Sequence, residues 1–97
     1  MKNLTEIKTL LQEHKEELFA KYPLSLMAIF GSYAREEQTH ESDVDIWIDF
    51  SKPMGFELAH LLRDLQKILG EKVDLSIGKN ALNKFLPYMQ SNEIIYV

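Results

Sequence analysis

Apolar residues at Leu4, Ile7, Leu11 and Leu18 follow a period near 3.6, with Leu10 and Phe19 beside the stripe. The spacing predicts a helix over 4–21. Asn3 followed by Glu6 has the form of a capping box, in which each side chain satisfies the other residue's backbone N–H. Pro23 stops the helix, because the residue before a proline is driven towards extended geometry. Leu24 to Phe30 is then an apolar run of strand length. Leu24, Leu26, Ala28 and Phe30 fall on one face, Met27 and Ile29 on the other, and apolar residues on both faces predict a central strand. Gly31 punctuates that strand, and Ser32 is placed to cap a short helix over 33–37.

Gln38 to Ser42 is a polar loop. A second strand over 43–50 alternates cleanly, with Val44, Ile46, Ile48 and Phe50 pointing one way and Asp43, Asp45, Trp47 and Asp49 the other. Lys52-Pro53-Met54-Gly55 signals a turn. The helix predicted next, over 56–69, carries Phe56, Ala59, Leu62, Leu65 and Leu69 on one stripe and stops at Gly70. Val73, Leu75 and Ile77 alternate with Asp74 and Ser76 in a third strand, which Gly78 breaks. A helix over 80–90 carries Leu82, Phe85, Leu86 and Met89, with Pro87 kinking or shortening it. Glu93 to Val97 reads as a short extended segment. Helices interleaved with short strands predict an α+β fold: a small mixed sheet with helices packed on one face and acids on the other, in a single domain over 1–97.

Composition narrows the functional classes. With 97 residues there is room for one core. Cysteine is absent, which excludes disulfides and thiolate metal sites and suits a reducing cytoplasm, the expected location. No apolar run approaches the ~20 residues of a membrane helix, and the N-terminus lacks a signal-peptide core, so no membrane partner is expected. A net charge of −4 argues against a surface built for long nucleic acid. A nucleotide that arrives with magnesium remains compatible with an acidic site.

The acids are sorted by strand geometry. Asp43 and Asp45 share a face with Cα atoms ~6.6 Å apart, and two like charges so close repel unless a cation lies between them. Asp49 lies ~13 Å from Asp45 along the strand, too far to share an ion. Asp74 faces opposite to Val73 and Leu75, as Asp43 and Asp45 face opposite to Val44 and Ile46. Strands that bury their aliphatic faces under the same helices bring all three acids onto one surface. Three carboxylates can hold two Mg²⁺ ions ~3.5–4 Å apart, an arrangement that orients a nucleoside triphosphate for in-line displacement. Ser32 and the backbone N–H groups after Gly31 are placed to hold the outer phosphates. The acid nearest the incoming hydroxyl can accept its proton.

Gly31-Ser32, ten intervening residues, Asp43-Val44-Asp45 and the later Val73-Asp74-Leu75 resemble the nucleotidyltransferase superfamily typified by DNA polymerase beta. Within it the chain most resembles the minimal nucleotidyltransferases, or MNT proteins. The family pattern often reads Gly-Ser-x-Ala-Arg-Gly, and here Glu36 occupies the last glycine. The resemblance implies a palm-like fold, Asp43, Asp45 and Asp74 as metal ligands and catalytic acids, and Gly31, Ser32 and Arg35 on the nucleotide. It implies Mg²⁺ and ATP as cofactor and donor, and a helical HEPN toxin as partner. The chain would then be a prokaryotic antitoxin that transfers AMP to a toxin hydroxyl, a tyrosine by expectation. The small size agrees, since it leaves no room for an acceptor-binding domain. Two other readings stand beside it: a non-catalytic antitoxin that works by occlusion, and the catalytic subunit of a two-subunit enzyme acting on a small molecule or RNA.

Other residues have plainer readings. Arg35 is as well placed to pair with Glu36, Glu37 or Asp43 as with phosphate. Asp74 is also explained as a solvent-facing acid on an edge strand. Packing is the expected role of Tyr33 and Trp47. His14, His40 and His60 lack metal-ligand spacing, although His40 lies in the loop inside the motif.

Overall fold

A computed structural model of the chain describes residues 2–78 and 94–97. Helix α1 (Leu4–Lys21) opens on the expected capping box: the Asn3 side chain accepts from Glu6 N–H, and the Glu6 carboxylate accepts from Asn3 N–H. Its stripe is as read, with Ile7, Leu11 and Leu18 buried and Leu4, Leu10 and Phe19 at the edge of the core. Strand β1 (Leu24–Phe30) runs into the short helix α2 (Gly31–Ala34), followed by strand β2 (Val44–Phe50), helix α3 (Glu57–Leu69), and strands β3 (Val73–Ile77) and β4 (Ile95–Tyr96). The expected helix over 80–90, with Leu82, Phe85, Leu86, Pro87 and Met89, lies outside the described residues.

The sheet is mixed, in the order β3-β2-β1-β4: β1 is antiparallel to β2 and β4, and β2 is parallel to β3. β1 is therefore flanked on both sides, as its apolar faces predict. The main core lies between α1, α3 and one sheet face, joining Ile7, Leu11, Met27, Ile29, Ile46, Ile48, Leu61 and Leu65. Truncating a fully buried Leu there to Ala costs about 2–5 kcal/mol. The opposite face is not purely acidic. Trp47, 1% exposed, packs there with Ala28 and Ile94 and meets the Phe30 ring edge-on at 5.6 Å.

Three local expectations need correction. Leu24 does not share a face with Leu26: the ladder shifts by one residue between them, and Leu24 turns into the main core. In α3 the buried stripe is Leu61, Leu65 and Leu69, whereas Ala59 is exposed and Phe56 is 93% exposed at the cap position before the helix. A run of leucines at i, i+4 and i+8 sets the helix's rotation, and Phe56 lies outside the helix to which the stripe assigned it. The short helix begins at Gly31 rather than Tyr33, so Ser32 sits inside its first turn and makes no capping bond. Gly70 ends α3 as expected, in the left-handed conformation. Among the described residues, no helix is long and apolar enough to cross a membrane.

Candidate active site

Sheet topology gathers the motif at one end of the molecule. Because β1 runs antiparallel to β2, its last residue, Phe30, pairs with Asp45, and the Gly31-Ser32 turn follows immediately. Because β3 runs parallel to β2, Asp74 pairs with Asp45 from the other side. Residues paired across neighbouring strands point to the same face, ~4.8 Å apart. Asp45 thus has the glycine turn on one flank and Asp74 on the other, with Asp43 just before its own strand. Trp47 and Tyr33 are both buried packing residues, as expected.

Gly31 is fixed there by two independent requirements. Its φ of +71° lies in the region that favours glycine. A Cβ at this position would overlap the Asp45 Oδ2 atom and lie 2.9 Å from its Cγ. The turn and the acid are therefore in direct contact, which places the Gly31-Ser32 turn and the Asp45 carboxylate side by side.

The carboxylate of Asp45 is half-buried, and its pKa is raised above the ordinary value. Burial is the main cause, and the negative charges of Asp74 and then Asp43 add to it; Arg35 pulls the other way. Asp43 and Asp74 are exposed. Arg35 is held at 3.2 Å by Glu37, so the alternative pairing foreseen for it is realised, while its charge still reaches Asp45.

The turn after α2 explains the residue that departs from the family pattern. Glu37 N–H donates to Ser32 O (2.8 Å) and Glu36 N–H to Tyr33 O (3.1 Å), the two bonds of a Schellman motif. In that motif the residue after the cap is left-handed, and Glu36 has φ +57°. Glu36 thus adopts a backbone conformation that glycine takes readily.

Among the described residues, no group of three or more acidic or histidine side chains is drawn together around an ion position. The chemistry of the donor set nonetheless fits a hard divalent cation: hard carboxylate oxygens, two of them on exposed side chains able to rotate, crowd the half-buried Asp45, whose charge is opposed by burial and by its neighbours. Such a cation would relieve that opposition. Sequence reasoning did not find the cleft next to Asp43, about 820 Å³, lined by His40, Glu41, Asp43, Gln66, Glu71 and Lys72. The available signal was topological, since the loops before two parallel strands end side by side. A second groove of about 450 Å³ lies between α1 and α3, away from the acids, around Lys21 and Asp64.

Known proteins resemble the chain over nearly its whole length. Residues 5–97 match the family described as Polymerase beta, Nucleotidyltransferase. A Methanocaldococcus jannaschii protein provisionally named a protein adenylyltransferase is 45% identical, over 100% of both chains. Protein adenylyltransferase MntA of Thermococcus cleftensis is 36% identical, over 100% of this chain and 98% of that one. A crystal structure of a toxin–antitoxin with AMP-PNP superposes with a TM-score of 0.63 at 22% identity, over 98% of this chain and 72% of that one, a likeness of fold.

Proposed function

The chain belongs to the polymerase beta nucleotidyltransferase family, and from that premise we propose that it is an Mg²⁺-dependent protein adenylyltransferase acting as an antitoxin. The acceptor is a hydroxyl, a tyrosine, on a HEPN-type toxin, and the donor is ATP. The observation that carries this reading is the contact of Gly31 with Asp45 while Asp74 pairs with Asp45 across the sheet. The names of the relatives, which cover the whole chain, support protein as the acceptor class. The toxin–antitoxin neighbour supports the choice of partner and donor.

In this reading Ser32, the backbone after Gly31 and Arg35 hold the outer phosphates, Arg35 exchanging Glu37 for phosphate oxygen. Asp43, Asp45 and Asp74 hold magnesium, which when bound neutralises phosphate charge and stabilises the attacking and leaving oxygens. The acceptor oxygen bonds to the α-phosphorus as the bond to the bridging oxygen breaks, pyrophosphate leaves, and Asp74 takes the hydroxyl proton. Burial of Asp45 beside the turn keeps the ligand set in place.

The test is transfer of label from α-labelled ATP to the co-expressed partner toxin, with Mg²⁺, by the wild type and by Asp45→Asn. Label on a partner tyrosine that vanishes in the variant supports the enzyme. Full neutralisation of the toxin by both forms without label would assign the chain to occlusion instead. Glu36, where the family pattern has glycine, takes a glycine-like φ of +57°, which supports a turn compatible with catalysis.

A further inference from the structure

In the sheet order, β2 with Asp45 lies between β1, which leads into the Gly31-Ser32 turn, and β3, which carries Asp74. In-line displacement puts the attacking and leaving oxygens on opposite sides of the phosphorus. If the turn holds the departing phosphates on the β1 side, the acceptor enters from the β3 side. The cleft of about 820 Å³ lies there, between the 40–43 loop and the turn before β3, and Asp43 belongs to both the cleft and the acid group. Its volume is in the range of clefts that enclose a small ligand, ~300–1,000 Å³. Its charged lining is Glu41, Asp43 and Glu71 against Lys72. That balance repels a metal-free triphosphate or an RNA backbone and attracts a cationic polypeptide.

We infer that this cleft is the acceptor-docking site, and that it takes a polypeptide segment in which the acceptor tyrosine is flanked by Lys or Arg. The inference rests on the adenylyltransferase reading for its direction of entry. Glu41 selects the basic flank, Glu71 adds negative charge while its Oε1 accepts from Lys2 N–H at 3.3 Å, and Lys72 limits how strongly the segment is held. The Gln66 side chain is committed at the back of the cleft, where its Oε1 accepts from Val73 N–H at 3.3 Å. The rim charges are therefore the groups left to discriminate.

Two synthetic peptides test this, each with a single tyrosine, one flanked by arginines and the other by glutamates. Binding is read by fluorescence anisotropy and AMP transfer by label, in the wild type, Glu41→Lys and Lys72→Glu. Affinity for a fluorescent ATP analogue is measured in parallel. The arginine-flanked peptide is expected to bind the wild type at least fivefold more tightly than its counterpart. Glu41→Lys should weaken it three- to tenfold and Lys72→Glu strengthen it by a similar factor, as charge reversals at an exposed rim do. Nucleotide affinity should stay within twofold. Equal binding of the two peptides, or a preference indifferent to both substitutions, overturns the inference. So does a parallel loss of nucleotide affinity, which would make the cleft the donor's site, or an RNA oligonucleotide that binds the wild-type cleft in place of the peptide. A charge-dependent preference without AMP transfer by any form would leave the docking site standing and defeat the transferase reading. Transfer without charge dependence would do the reverse.

Discussion

Asp45 is the residue on which the others depend. Its pKa is raised in the folded state, so the native protein binds the proton more readily than the unfolded chain does. Its contribution to stability is therefore most favourable below the unfolded value of ~4 and becomes a cost as pH rises through the folded one. Asp45→Asn should raise the thermal midpoint at neutral pH, with the gain shrinking below about pH 4, while abolishing transfer. A variant less stable than the wild type at pH 7 would contradict the electrostatic account. Gly31→Ala meets both a left-handed φ and the Asp45 carboxylate, and a cost of about 2–4 kcal/mol is expected from urea unfolding. Glu36→Gly should gain up to about 1 kcal/mol by releasing the left-handed strain, offset in part by the freedom of glycine in the unfolded chain. The sequence marked Glu36 as a departure from pattern. It could not reveal that the side chain tolerates the backbone geometry, because φ is a property of the closed Schellman turn and not of residue type alone.

Period-based reading recovered the α1 stripe and the alternation of β2 and β3, since the first depends on positions three or four residues apart and the second on positions two apart. It failed where one residue changes the count. The bulge between Leu24 and Leu26 reverses the face of everything before it, and no residue type there announces it. In α3 the expected stripe began at Phe56, and the observed one is Leu61, Leu65 and Leu69, because leucines at i, i+4 and i+8 set the helix's rotation and Phe56 lies before its first residue. Elements are also tied by contacts that no local pattern predicts. Tyr22 Oη donates to Asp64 Oδ2 at 2.5 Å, and Lys21 Nζ donates to the same oxygen at 2.8 Å, linking the end of α1 to the middle of α3. The bond from Lys21 and then that from Tyr22 lower the Asp64 pKa. That stabilisation is present above the unfolded carboxylate value and is lost as pH falls through the folded one. Asp64→Asn should therefore unfold more readily than the wild type at pH 7 and match it in strong acid. Tyr22→Phe should cost about 0.5–1.5 kcal/mol by removing the phenol donor. Thermal melts across a pH series check both.

At the scale of the molecule, the third acid separates what the sequence determines from what folding adds. Asp74 was nominated by its face, yet its pairing with Asp45 depends on β3 joining β2 in parallel at a particular register, which the sequence pattern alone does not specify. The same parallel arrangement brings the loops before β2 and β3 together and makes the cleft beside Asp43. Topology thus turns a motif spread from Gly31 to Asp74 into one surface with a turn on one flank and an opening on the other. The central claim is that these acids form a single cation and nucleotide site. Crystals grown with Mn²⁺ and a non-hydrolysable ATP analogue test it by anomalous scattering. The account predicts peaks within coordination distance of the Asp43, Asp45 and Asp74 carboxylates, with the outer phosphates against Gly31 and Ser32. Manganese bound away from Asp45, or a triphosphate lying in the cleft beside Lys72, would contradict it.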